Sequence, residues 1–308
     1  MAAFLLVTAL FVVFAVLRVF NVDGNRYTTA ALALTPYAVL GGAMLGVLAW
    51  ALGQWWTGGI TLALTVGLAI LVLPRMIPSA RPRSSGRRMR VMASNLYLGR
   101  ADTKTIAELV REHEVDVLNL LELTPEAVEN FERGGLYELL PHRVLHPAGG
   151  GAGSGVLSRY PLSPLSLAAP SLLAQPSARV DLGDTEVEVV AVHPVPPTES
   201  AVVWKQETAG LPEPDAAGPI RVLAGDFNAT LDHATFRKLL RAGYVDAGER
   251  RGAGLAATWP ARPFPPPVTL DHVLVDPRAC ITAYRVFRVP GSDHKAVFAE
   301  LVLPQSAG

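Results

Sequence analysis

The sequence predicts an α/β domain of two packed sheets with helices outside, preceded by three membrane-spanning helices. Three observations predict it. First, charge is segregated: residues 27–74 contain none, whereas residues 91–308 hold 19 Lys/Arg and 26 Asp/Glu, a balance of −7. Second, from residue 88 onward short apolar runs of strand length alternate with amphipathic stretches of helical period and Pro-rich loops. Third, several of those apolar runs end on a single acid, amide or imidazole, as strands do when they deliver side chains to a site.

The neutral total of the 308-residue chain therefore hides an apolar part, a short basic part and an acidic part. A span needs about 20 apolar residues to cross a hydrocarbon core of roughly 30 Å. Residues 2–20, 29–51 and 57–74 meet that requirement within a transmembrane region covering 1–74. Trp50, Trp55 and Trp56 suit an interfacial belt, and Gly42 and Gly46 form a G-x-x-x-G pair that lets helices approach. The first segment has no basic start and no cleavage site, so it is read as a retained span rather than a signal peptide. Residues 75–87, rich in Arg, Pro and Ser, read as a linker. Its arginines either rest on anionic headgroups or are solvated. Arg18 and Arg26 flank the first loop, and Arg75, Arg81, Arg83, Arg87, Arg88 and Arg90 follow the third span. By the positive-inside rule this is a multi-pass cell-membrane protein with its C-terminal domain in the cytoplasm. Cys280 is the sole cysteine, which excludes an intramolecular disulfide and a cysteine-based metal site.

In the domain at 88–304, strands are expected at 88–96, 115–121, 155–157, 178–182, 187–193, 220–224, 270–275, 281–287 and 296–302. Helices are expected at 103–113, 125–133, 200–208 and 233–242. The sharpest motif, Val-Leu-Ala-Gly-Asp-Phe-Asn at 222–228, runs a strand into Asp226 and Asn228. Two residues apart, these share a face. Asp226 suits holding or deprotonating a water and Asn228 suits donating to a phosphoryl oxygen, although an Asp-x-Asn turn has the same pattern. In Gly291-Ser292-Asp293-His294 an acid beside a histidine favours imidazolium, and such pairs also occur as plain structure. Asp271 interrupts the apolar run 269–275 and needs a partner there, for which His294 is a candidate. His272 points to the opposite face and is given no catalytic role. Glu122 ends the buried run 116–121. A hard cation such as Mg²⁺ takes one or two carboxylates, and Asn95, ending the first strand, could orient this one. His193 ends the run 189–192 before Pro194. The glycine-rich segment 149–155 is either a phosphate cradle or a flexible loop. Neither a G-x-S-x-G elbow nor a Walker loop is present.

Taken in order, Asn95, Glu122, His193, Gly-Asp226-Phe-Asn228, Asp271 and Ser-Asp293-His294 resemble the endonuclease/exonuclease/phosphatase superfamily over residues 88–303. The resemblance implies a four-layer sandwich: two mixed β-sheets face to face, flanked by helices. It implies that Glu122 is a metal ligand with Asn95 its neighbour, and that Asp293 is a supporting acid or metal ligand. It further implies that Asp226 activates water, that Asn228 and His193 bind phosphoryl oxygens, and that Asp271 orients His294. The implied cofactor is Mg²⁺, with Mn²⁺ as an alternative. The chain is also similar to three-helix, membrane-bound actinobacterial members, including ones linked to glycopeptide resistance. That similarity implies an outward-facing domain, against the arginine count, and a lipid-linked phosphate or pyrophosphate as substrate. The expected partners are therefore the lipid bilayer and a phosphorylated substrate, and the expected activity is metal-dependent hydrolysis of a phosphoester or phosphoanhydride. The alternatives are a membrane-tethered nuclease and an inactive scaffold. Nucleic acid is disfavoured, because neutralising its phosphates takes basic side chains that residues 91–308, at charge −7, lack in excess.

Overall fold

The computed structural model describes residues 2–79 and 85–305. The N-terminal region is α1 (Ala2–Val19), α2 (Arg26–Ala33), α3 (Thr35–Ala51) and α4 (Trp55–Val72), the last running into a 3-10 turn, Leu73–Met76. The domain then follows as β1 (Arg88–Asn95), α5 (Thr103–Glu112), β2 (Val117–Leu121), α6 (Pro125–Arg133), α7 (Leu136–Leu139), β3 (His142–His146) and β4 (Ser154–Ser158). Next come β5 (Leu162–Leu165), β6 (Ser177–Asp181), β7 (Glu186–Val192), α8 (Pro197–Ala209), β8 (Ile220–Asp226) and α9 (Ala234–Arg241). The chain finishes with β9 (Val245–Asp246), α10 (Ala247–Arg250), β10 (Asp271–Val275), β11 (Cys280–Arg288) and β12 (Lys295–Val302).

The strands form two six-stranded sheets, in the orders β11-β12-β1-β2-β4-β3 and β5-β6-β7-β8-β10-β9. Strand alternation sorts the apolar side chains into three layers of core. Val91, Ala93, Val189 and Val222 meet between the sheets. Met92 and Leu118, on the opposite faces of the same strands, pack with Ile106 and Phe131 of α5 and α6. Val190 and Leu223 pack with Trp204 and Phe236 of α8 and α9. The result is the expected four-layer sandwich. Asn119 crosses its centre, donating from Nδ2 to Val190 O at 3.0 Å and Ala224 O at 2.8 Å in the other sheet.

Pairing direction gathers the polar strand ends. β1 and β2 are parallel, with Asn95 opposite Leu121, so Asn95 and Glu122 emerge at the same edge. β7 and β8 are parallel, with Val192 opposite Gly225, so His193 emerges beside Asp226. Here the backbones are so close that a Cβ on Gly225 would collide with the Val192 carbonyl. Antiparallel β8 and β10 set Asp271 directly opposite Asp226.

The N-terminal region departs from the expectation of three spans. The stretch 29–51 is not one helix. It breaks into α2 and α3, bent by 70°. Pro36 is the physical reason: it sits in the first turn of α3, has no N–H to continue the ladder of α2, and restricts the residue before it. α2 begins before the uncharged run, at a capping box in which the Asn25 side chain accepts from Thr28 N–H and the Thr28 hydroxyl pairs with the Asn25 backbone. Among the described residues one helix, Trp55–Met76, is long and apolar enough to cross a membrane, and the bent pair passes only if counted as one broken span; the apolar helix at Ala3–Val19 is shorter. Gly42 does lie at a helix contact, where a Cβ would collide with Phe11 and Thr65.

The described residues of the segment 75–87 make contacts with the domain. Arg75 is buried, and it holds Asp232 through two bonds of 2.8 Å. Arg18, at the end of α1, donates to the same carboxylate at 2.8 Å. Ser79 N–H donates to Arg250 O at 3.1 Å. Arg87 lies over the Tyr160 ring, and Arg90 pairs with Glu300 at 3.1 Å. Arg75, Arg87 and Arg90 thus have protein partners, Arg87 while exposed; Arg81 and Arg83 lie outside the described residues.

Two further ties reinforce the junction. Asp23, between α1 and α2, accepts from Thr235 N–H at 2.9 Å and so caps α9, whose own N-cap residue His233 makes no side-chain capping bond. His233 instead reaches Thr29 O from Nε2 at 2.8 Å while Nδ1 accepts from Thr230 N–H at 2.8 Å. Burial lowers the pKa of His233 and keeps it neutral, which matches one donating and one accepting nitrogen.

Removing one member of such a buried ion cluster strands the others. Asp232→Asn is expected to lower unfolding free energy by about 3–5 kcal/mol, read by thermal or chaotrope unfolding of the full chain in detergent. Arg133→Ala, which breaks a surface pair with Glu129, is expected to leave the midpoint in place.

Candidate active site

Six strand ends, those of β1, β2, β7, β8, β10 and β12, deliver the side chains. Glu122 follows β2 with φ of 55°, and Asn228 follows β8 with φ of 49°. Both are left-handed conformations that a bulky residue adopts only when its surroundings hold it there, and such strain concentrates at functional sites. The turn after β1 supplies two more, Tyr97 and Leu98. Its purpose is visible in the contacts: Leu98 N–H donates to Glu122 Oε2 at 2.6 Å.

Asn95 joins the two halves of the site. Its Nδ2 donates to Glu122 Oε1 at 3.0 Å and to Asp226 Oδ2 at 3.2 Å, while its Oδ1 accepts from Tyr97 N–H at 2.9 Å. Asn95 thus bridges the two carboxylates while its oxygen holds the turn after β1. His193 Nε2 lies 4.0 Å from both Glu122 Oε1 and Asp226 Oδ2. Burial, then the nearby charge of His294, lowers the pKa of His193 to about 4, so it is neutral.

His294 Nδ1 meets Asp271 Oδ2 at 2.9 Å, and its Nε2 lies 3.6 Å from Asp226 Oδ2. Burial opposes charge on this ring, but Asp271 and Asp226 outweigh it and raise the pKa, so His294 is imidazolium. Burial pushes Asp226 up to about 7; the His294 charge pulls it back, and Asp271 and Glu122 add to the rise. Asp271 is fixed by Thr258, whose hydroxyl accepts from Leu270 N–H at 2.9 Å and Asp271 N–H at 3.0 Å. Asn228 donates from Nδ2 to Pro194 O at 3.1 Å, and its own N–H caps Asp226 Oδ1 at 2.8 Å.

Asp293 stands at the rim. Its Oδ2 accepts from Trp259 Nε1 at 3.1 Å, and its Oδ1 is buried without a partner. Trp259, 6.4 Å from the His294 ring, and Thr258 carry no signal in sequence beyond lying next to a Pro-rich loop. The glycine-rich segment is partly strand, since β4 starts at Ser154, and Gly151 passes against the Glu122 side chain. His272 turns away from the cleft: it is buried, with Nδ1 at 2.8 Å from Asp246 Oδ2 and Nε2 at 2.9 Å from Ala229 O.

All eight candidate residues therefore lie around one cleft of about 450 Å³ or against its rim. Its catalytic wall holds Glu122, His193, Asp226, Asn228 and His294, and its other wall includes Thr29, Ala30, Ala33 and Leu34.

The family model for the endonuclease/exonuclease/phosphatase family matches residues 92–294, from β1 to His294. The chain belongs to that family. Endonuclease/exonuclease/phosphatase proteins are divalent-metal-dependent phosphoric ester hydrolases, nucleases and phosphodiesterases among them. Among curated proteins, none matches the chain. Solved structures share its fold. One is an endonuclease/exonuclease/phosphatase from Beutenbergia cavernae DSM 12333, with TM-score 0.54 and 22% identity, covering 71% of this chain and 72% of that one. A humanised D. rerio TDP2 aligns at TM-score 0.53 and 14% identity, over 70% of this chain and 98% of its own. An AP endonuclease from Archaeoglobus fulgidus aligns at TM-score 0.54 and 16% identity, over 68% and 98%.

The donor set fits the family's divalent cation. Asp226, Asp271 and His294 place ligand atoms within 4.8 Å of one another, a group that could hold a metal ion. Three carboxylates, those of Glu122, Asp226 and Asp271, gather around one histidine ring, His294, and such a cluster suits a cation. Hard oxygen donors suit Mg²⁺ or Mn²⁺. Glu122, aimed by Asn95 and Leu98, is the residue placed to hold it.

Asn228→Ala is expected to reduce kcat on a generic phosphodiester by roughly 100- to 1000-fold, measured with folding verified by the unfolding midpoint. His272 gives a pH-dependent stability. Burial opposes its charge, but Asp246 outweighs burial and raises the folded value above the ordinary 6.5. Its contribution is complete below 6.5 and is lost as pH rises through the folded value. Unfolding midpoints of wild type and His272→Gln are thus expected to lie furthest apart in acid and to converge as pH rises.

Proposed function

We propose that this protein is a membrane-associated hydrolase that cleaves a phosphoester or phosphoanhydride carried by a lipid, using Mg²⁺ or Mn²⁺. The observation that carries the reading is the shared cleft: the carboxylates Glu122 and Asp226 and the end of α2, in the N-terminal region, line one cavity. A phosphate seated at Asp226 and His294 has its remaining atoms against a helix that belongs to the apolar region.

The side chains divide the work. Asp226, raised toward neutrality, takes a proton from the attacking water. His294, held charged by Asp271, donates from Nε2 to a phosphoryl oxygen, and Asn228 and neutral His193 contact the others. Asn95 keeps Glu122 and Asp226 in register. A divalent ion held at Glu122 supplies positive charge to the phosphoryl oxygens.

In the proposal the helices anchor the chain as a multi-pass protein of the cell membrane, in the manner of the membrane-bound actinobacterial members. The nuclease reading has the charge of −7 over residues 91–308 against it. Phosphate release from a polyprenyl pyrophosphate and nicking of plasmid DNA, each with and without EDTA, separate the two. The expected result is EDTA-sensitive phosphate release restored by Mg²⁺, with plasmid left intact; nicking without phosphate release overturns the proposal.

A further inference from the structure

The second wall of the cleft is uncharged and built of small groups. Ala30, Ala33 and Leu34 of α2 and its end face Pro265, Pro266 and Val268. The hydroxyl of Thr29, the polar side chain on that wall, is already given to Asn25 O at 2.8 Å. A glycerol, sugar or peptide group next to the phosphate would meet no donor there, whereas a methylene chain would lose only water.

The wall is fixed relative to the catalytic groups. His233, in the loop that follows Asn228, bonds Thr29 O at 2.8 Å, and Tyr37 Oη donates to Pro267 O at 2.8 Å. Beyond Leu34 the 70° bend turns α3 away, and that helix exposes Leu40, Met44 and Val47. The cleft thus ends at Leu34, where the chain continues into a helix with exposed apolar side chains. The phosphate position and this wall share one cleft of about 450 Å³.

We propose that α2 is the chain-binding wall of the active site, taking a phosphate or pyrophosphate esterified directly to a single long hydrocarbon chain that lies on Ala30, Ala33 and Leu34. This rests on the hydrolase reading above and adds the location and number of the chains.

The experiment uses the full chain in vesicles and compares kcat/KM for geranyl monophosphate, a long-chain polyprenyl monophosphate and phosphatidic acid. Wild type is expected to prefer the long single chain, by roughly fourfold for each methylene laid on the wall. Ala33→Trp, which fills the wall, and Leu34→Asn, which makes its end polar, are each expected to collapse the long-to-short ratio toward one. A non-hydrolysable alkyl phosphonate with a photoreactive group beside the phosphonate is expected to label the segment 26–37, a readout that needs no variant. Labelling elsewhere, an unchanged ratio in both variants, or equal preference for phosphatidic acid overturns the proposal. If plasmid or a soluble phosphodiester is cleaved but no lipid phosphate is, the lipid reading itself has failed. If lipid phosphate is cleaved with the ratio unchanged in the variants, only the chain wall has.

Discussion

The arrangement depends on one carboxylate. Asp232 receives Arg18 from α1 and both arms of Arg75 from the turn after α4, and it does so while buried. Burial alone would raise its pKa, yet the two guanidinium groups hold it below the usual carboxylate value. Isolated from water, each charge would cost several kcal/mol, so the three are tolerable only together. The ends of two helices must therefore stay on the loop that follows Asn228. That loop is also where His233 reaches α2 and where Asp23 caps α9. The helical layer is consequently part of the active site's architecture rather than a tether to it.

Within the cleft the same logic of forced company recurs. Glu122, Asp226 and Asp271 lie near one another because β1 with β2 and β7 with β8 run parallel, and because β8 and β10 are in antiparallel register. His294 relieves part of the repulsion and Asn95 bridges part of it. What remains is negative potential with hard oxygen donors, an environment made for a small divalent ion and a phosphate bound together.

Much of the sandwich was legible because its strands are uninterrupted apolar runs that stop abruptly on polar residues. Asp226, Asp271, Glu122 and His193 each break such a run, and a buried polar group in that position asks for a partner. β3, β5 and β9 gave no such contrast: His142–His146 is only half-buried, and Val245–Asp246 is too short for any period to register. The break at Leu34 was hidden because an uncharged run reports composition, not helix length, and Pro36 was the one local clue. Arg18 and Arg75 looked topogenic because the partner they share lies 214 and 157 residues away. Thr258 and Trp259 act through a backbone amide and a rim carboxylate, contacts that leave no trace in residue type.

The left-handed backbones at Glu122 and Asn228 bear on which substitutions such a chain tolerates. Glycine would sit at either position with less torsional cost, of order 1–3 kcal/mol per residue. A Gly in place of Glu122 would therefore ease the backbone while removing the carboxylate that Asn95 and Leu98 hold, so relief of this torsion and loss of the cleft's polar wall are the same substitution.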